Sequence, residues 1–204
     1  MKSGIVPRKD ALCFHCHSEE RHRFVWLYLK KRTDLFISEK KQMLHIAPEY
    51  CLKKRFRKLF GNSYLTADLY DDNVMIRMDI TDIKFENKSF DIIFCSHVLE
   101  HVEDDRKALC EFYRVLKDDG WAIILVPIVG EKTYEDPLMT SPKERLREFG
   151  QKDHVRLYGL DIIKRIQESG FNVQAINVED IATTREAVKM GLTKAAGEIF
   201  FCKK

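Results

Sequence analysis

The sequence lacks any long apolar run. No stretch approaches the roughly 18 apolar residues that a membrane-crossing helix requires, so no membrane partner is expected. The first ten residues are charged and lack an apolar centre, so no secretory leader is expected and the cytoplasm is the expected compartment. Internal repeats and low-complexity segments are absent, which excludes solenoids and extended tails. Six cysteines without an export signal read as thiols or metal ligands rather than as a disulfide frame.

A second C-x-x-C is also missing. The single copy, Cys13-Phe14-His15-Cys16-His17, has a haem-attachment spacing, but that chemistry belongs to exported proteins. Two thiolates at this spacing suit zinc, which makes Cys13 and Cys16 the candidate metal ligands. A closed zinc site needs four ligands, so His15, His17, His22 or a partner chain would have to complete it. A full zinc site within one chain is therefore not expected, and the alternative is a remnant that binds nothing.

What is present suits one globular domain with a small appendage: 204 residues, 45% hydrophobic and 33% charged. Charge is unevenly spread. Residues 1–60 hold 15 Lys and Arg against six Asp and Glu, while the remainder holds 20 against 26. A basic N-terminal third would favour an acidic partner, nucleic acid included, or would simply be a solvated helical face. Residues 1–35 are expected to form a C-x-x-C segment and a packing helix, with the principal domain over residues 36–204.

Strand and helix patterns alternate along that domain. Met43-Leu44-His45-Ile46-Ala47 reads as a strand, and Pro48 with Glu49 opens a helix over Tyr50–Phe60. Strands follow at Tyr64–Asp68 and residues 74–78. Residues 90–95 form an apolar run that stops at Ser96 and His97, before a helical pattern over residues 103–116. A strand over residues 121–127 precedes a long polar stretch, 128–159, too long for an ordinary connection. A helix over 160–169 and strands over 171–178 and 197–202 complete the pattern. The alternation predicts a doubly wound, mostly parallel α/β sheet, whose ligand crevice lies beyond the carboxyl ends of its strands.

The run S-F-D-I-I-F-C-S-H-V-L-E-H-V, followed by R-V-L-K-D-D-G-W-A-I-I-L-V-P, resembles the middle of the class I S-adenosylmethionine-dependent methyltransferases, type 11-like. The resemblance covers residues 41–203 and implies a seven-stranded Rossmann-like sheet closed by an antiparallel hairpin. L-H-I-A-P-E, the N-terminal C-x-x-C with R-H-R, and F-G-Q-K-D-H-V-R-L-Y-G resemble an uncharacterised subgroup with a half zinc-ribbon-like N-terminus.

The resemblance implies S-adenosylmethionine as cofactor and gives its residues roles. Asp68, ending the second strand, would hold the ribose hydroxyls through two charge-assisted hydrogen bonds. Asp79 and Ile80 would meet the adenine, the acid at its amine and the aliphatic chain at its ring face. Ser96 and His97 would line the methionine end. The first loop, His45 to Glu49, departs from the family's glycine-rich pattern; Ala47 is small enough for close approach, and Glu49 would pair with the methionine ammonium.

His97-Val98-Leu99-Glu100-His101 also matches H-x-x-E-H, an inverted zinc-protease spacing. That motif requires a helix, whereas here it straddles a strand end and a helix start, which argues against hydrolysis and for His101 as an anchor of the helix start. Within residues 128–159, His154 is the candidate general base, with Asp153 or Tyr134 assisting. Arg145, Arg156 and Tyr158 are the candidate substrate contacts, or else the Arg and Asp side chains pair with one another and pin the stretch. The expected activity is methyl transfer to an oxygen or nitrogen of a small polar or anionic acceptor. The alternative is a non-catalytic binding module of the same fold, with nucleic acid as its partner.

Overall fold

The structure, a computed structural model, describes residues 11–37 and 41–204. The charged segment read for a leader lies outside the described residues. Seven strands form one sheet: β1 (Met43–Ile46), β2 (Tyr64–Asp68), β3 (Ile76–Arg77), β4 (Phe90–Ser96), β5 (Leu116–Leu125), β8 (Asn172–Ile176) and β9 (Ile199–Lys203). Their spatial order is β3-β2-β1-β4-β5-β9-β8. Pairings from β3 through β5 are parallel, and β9 runs antiparallel to both β5 and β8. The expected sheet and its closing hairpin are both present.

Period-two burial explains the layers. Leu44, Ile46, Ile93, Cys95, Ala122 and Ile124 point to one face, under α3 (Asp105–Val115) and α5 (Ile162–Glu168). Met43, Ile92, Phe94, Trp121, Ile123 and Leu125 point to the other, under α1 (Glu20–Arg32) and α2 (Tyr50–Phe60). Both faces of the strands are buried, which is why they read as nearly continuous apolar runs. The α1 residues Phe24, Val25, Tyr28 and Leu29 are at most 3% exposed and share one cluster with Phe94 and Ile123. The N-terminal helix is thus part of the main core.

Two strands, the third and the fifth, differ in extent from the pattern. The third strand shrinks from residues 74–78 to Ile76–Arg77 at the sheet edge, and just before it Met75 donates its N–H to the carbonyl and hydroxyl of Thr66. β5 begins at Leu116, five residues early, and carries a register shift opposite Phe90 and Ile92. Gly120 permits this, since a Cβ there would stand 2.9 Å from the Asp91 carbonyl oxygen.

The polar stretch 128–159 is not structureless. It contains β6 (Tyr134–Glu135), α4 (Pro142–Phe149) and β7 (Arg156–Leu157), with β6 and β7 paired antiparallel. Val129 donates its N–H to the Tyr158 carbonyl at 2.7 Å, and Gly159 lies so close to the Lys132 backbone that a Cβ would stand 2.4 Å from it. The short helices α6 (Val178–Ile181) and α7 (Thr184–Met190) then join β8 to β9.

Candidate functional site

The chain reverses direction across the sheet between β1 and β4, which makes the carboxyl ends of these strands the switch point where α/β sheets bind ligands. One residue beyond β1, Ala47 has φ 45°; one residue beyond β4, His97 has φ 55°. Side chains rarely adopt this left-handed region, and strain of this kind clusters at functional sites. Both are tied down by backbone bonds, Ala47 N–H to the Ala67 carbonyl and His97 N–H to the Leu125 carbonyl, each 2.8 Å.

The first loop is occupied by a buried polar cluster. His45 is fully buried, with Nδ1 2.7 Å from the Tyr64 hydroxyl and Nε2 3.0 Å from Glu49 Oε2. Glu49, the N-cap residue of α2, also faces His22 from α1, whose Nε2 stands 3.6 Å from Oε1, too far for a hydrogen bond. Burial pushes the Glu49 carboxyl up, but the imidazoles of His22 and His45 outweigh it and hold the group well below the usual carboxylate range. Glu49 is therefore engaged by His45 through Oε2, while its buried Oε1 has no hydrogen-bond partner among the described residues.

Asp68 accepts the N–H groups of Tyr70 and Asp71 on Oδ1, at 2.7 and 2.9 Å, and Oδ2 has no partner among the described residues. Asp79 is exposed and accepts from Thr81 N–H and hydroxyl on Oδ1, both at 2.8 Å. It lines a cleft of 280 Å³ with Ile76, Met78 and Phe85. Ile80, expected at the adenine face, is 6% exposed and packed into the core; its alternation with Asp79 turns it inward. Ser96 is buried at the end of β4.

His97 lines a second cavity of 280 Å³ beside Pro127, Arg21, Lys194 and Glu198. Arg21 pairs with Glu19, and its Nε is buried without a hydrogen-bond partner among the described residues. Neither Arg21 nor Lys194 was expected here. Arg21 sits in the R-H-R noted only as part of the resemblance, and no local pattern marks Lys194.

The residues expected to bind substrate are largely spent on structure. Arg156 is 4% exposed. Its guanidinium donates to the carbonyls of Leu99, Val102 and Glu103 and to Glu135 Oε2. Tyr158 is fully buried and donates its hydroxyl to Asp105 Oδ2 at 2.7 Å. Arg165 joins them, 3.0 Å from Asp105 Oδ2 and 2.7 Å from Glu135 Oε1. Arg145 donates to the Met139 carbonyl and to Glu103. The reading of Arg156 and Tyr158 as substrate contacts is thus corrected: they pin the polar stretch.

The expected acid–base trio is not assembled. Asp153 Oδ2 lies 3.2 Å from His101 Nδ1, and Tyr134 packs on Phe149 with ring centroids 5.6 Å apart. His154 is 5% exposed, and burial, with His101 alongside, pushes its imidazole below its ordinary value. Cys13 and Cys16 flank a turn closed by His17 N–H to the Cys13 carbonyl. Cys16 Sγ is 3.2 Å from Ser18 Oγ, a contact that brings the thiol down to about 7. Among the described residues, the one group of three or more side chains placed to share a metal ion does not include these cysteines.

The fold is the Rossmann-like methyltransferase fold. Residues 44–124 match the family described as a methyltransferase domain. Over 74 residues, 36% of this chain and 28% of that protein's length, it is 36% identical to the uncharacterized methyltransferase YcgJ of Bacillus subtilis. The solved YcgJ structure superposes with a TM-score of 0.55 at 18% identity, covering 89% of this chain and 94% of that one. An S-adenosylmethionine-dependent methyltransferase from Mesorhizobium loti gives 0.60 at 13% identity, covering 89% and 98%. Phosphoethanolamine N-methyltransferase 2 of Haemonchus contortus, solved with phosphomonomethylethanolamine and S-adenosylhomocysteine, gives 0.55 at 17% identity, covering 90% and 57%.

Proposed function

We propose that the protein transfers a methyl group from S-adenosylmethionine to an oxygen or nitrogen of a small polar or anionic acceptor. The observation that carries this reading is the pair of left-handed residues, Ala47 and His97, at adjacent strand ends flanking the switch point. The donor set fits the cofactor in two places. Asp68 has a carboxylate oxygen to spare where a ribose would be held, and Asp79 is exposed in a cleft that suits a flat ring. When bound, S-adenosylmethionine supplies a methyl group on a sulfonium, which is already a good leaving group.

The chain's own work is then mainly orientation, which can supply about 7–11 kcal/mol of a barrier. The cavity beside His97 is the proposed acceptor site. Arg21 and Lys194 in its wall favour an anionic group, and the unpartnered Nε of Arg21 is a donor ready for one. The H. contortus relative is solved with a phosphorylated amine, an acceptor of that class. Calorimetry with S-adenosylmethionine and S-adenosylhomocysteine tests the reading: absence of binding at millimolar ligand overturns it.

A second reading, a non-catalytic binding module, rests on the first loop, where Glu49 is committed to His45 and no glycine is present. Cofactor binding without turnover on a panel of phosphorylated and carboxylated amines and alcohols would favour it. Salt-sensitive nucleic-acid binding, weakened by Lys30→Glu and Arg32→Glu at exposed positions of α1, would make the partner a nucleic acid.

A further inference from the structure

The turn after β4 and the segment that closes over it leave buried polar atoms without partners. Glu100 is 1% exposed and His154 is 5% exposed. Oε2 of Glu100 and both ring nitrogens of His154 lack a hydrogen-bond partner among the described residues. A polar atom left unpaired in the interior forfeits the hydrogen bonds it made with water, so three together call for an occupant. His101 stands beside them, its ring edge-on to that of His154 with centroids 4.6 Å apart. One ligand atom from each of Glu100, His101 and His154 lies within 4.8 Å of the other two.

We propose that Glu100, His101 and His154 bind a single divalent transition-metal ion of the zinc class. Two imidazoles and a carboxylate are the donors such ions take, whereas magnesium and calcium favour oxygen alone. Bonds of about 2.0–2.2 Å put tetrahedral donors roughly 3.3–3.5 Å apart, so the side chains close by at most about 1.5 Å around the ion. Three protein ligands leave a fourth position open to water or another small ligand.

The surrounding contacts orient this set. Asp153 engages Nδ1 of His101 at 3.2 Å and leaves Nε2 for the ion, the arrangement in which a carboxylate steers a metal-bound imidazole. His97 Nδ1 stands 3.2 Å from Oε1 of Glu100 and leaves Oε2 for the ion. The two halves of the site are bolted together. Val155 donates its N–H to the Glu100 carbonyl at 2.9 Å, and Arg156 ties the same segment to Leu99 and Glu103. Ligands on so fixed a backbone are held by more than their own rotamers.

This is not the zinc-protease set suggested by H-x-x-E-H. There His97 and His101 would share an α-helical face with Glu100 as base, whereas here Leu99–His101 is a single 3-10 turn and His97 pairs with Glu100. The proposed third ligand comes from β4's distant cover, 53 residues after His101. The proposal does not depend on methyl transfer, because its readout is the ion itself.

The test is metal content of the full-length protein, stripped with a chelator, reloaded with Zn²⁺ or Co²⁺ and desalted. Wild type and a Cys13→Ser/Cys16→Ser double variant are both expected to retain about one equivalent, and Glu100→Gln and His154→Asn less than about a tenth. The Co²⁺ form is expected to absorb in the visible without a thiolate charge-transfer band. Zn²⁺ should raise the melting temperature of wild type but not of Glu100→Gln, which keeps the side-chain shape and carries the test if His154→Asn does not fold. Three results would overturn the site: wild type retaining under a tenth of an equivalent, loss of the ion in the cysteine variant, or unchanged content in Glu100→Gln.

Discussion

Ala47 and His97 hold the same left-handed backbone conformation, φ 45° and 55°, one residue past the ends of the neighbouring parallel strands β1 and β4. The family pattern would place glycine at such a turn after β1. An alanine there carries a strain of about 1–2 kcal/mol, partly offset by glycine's extra unfolded-state entropy of about 0.5–1 kcal/mol. Ala47→Gly is therefore expected to raise the melting temperature by about 2 °C, read by scanning calorimetry, with binding of S-adenosylhomocysteine kept. A fall in melting temperature would show that the alanine methyl packs more than it strains.

Asp68 has a free carboxylate oxygen where a ribose diol would bind. Losing one charge-assisted hydrogen bond, worth about 1.5–3 kcal/mol, weakens affinity by about one to two decades. Titration calorimetry of Asp68→Ala with S-adenosylhomocysteine should read that loss. Asp68→Asn, which preserves the acceptor for the Tyr70 and Asp71 N–H groups, separates the ribose contact from the fold of the loop. Equal affinity in wild type and both variants would remove Asp68 from the site.

Arg156 is a buried cation that donates to three backbone carbonyls and one carboxylate. Removing it strands these acceptors, and breaking a buried pair costs about 3–5 kcal/mol. Arg156→Met should melt roughly 10 °C below wild type and be cut faster by trypsin within residues 128–159. Arg145→Ala, which loses a pair with the exposed Glu103, should cost no more than about 1 kcal/mol. A similar effect of both changes would contradict the assignment of Arg156 as the pin.

Acid should loosen the same segment. Hydrogen bonds from Arg165, and then from Arg156, hold the Glu135 carboxyl down to about 2, against the opposing effect of its burial. A carboxyl depressed from its unfolded value near 4.3 contributes stability above that pH and loses it as pH falls toward 2. Melting curves between pH 5 and pH 2.5 should fall less steeply for Glu135→Gln than for wild type. Parallel curves would show that Glu135 does not gain from its arginines.

The sequence by itself determined the sheet. Leu44, Ile46, Ile93 and Cys95 alternate with Met43, Ile92 and Phe94 because each strand must bury both faces, and that pattern is local. It also placed Asp68, Ser96 and His97 at strand ends, since the strands end where the apolar pattern stops. The tertiary structure decided what local pattern cannot carry. Arg156 meets Leu99 across 57 residues, Arg165 meets Asp105 across 60, and Arg21 joins Lys194 in one cavity wall. Whether an arginine binds a ligand or a carbonyl, and whether a glutamate faces an ammonium or a histidine, depends on which distant group is packed against it. Those neighbours are chosen by the folding of the sheet, and side-chain type alone does not contain them.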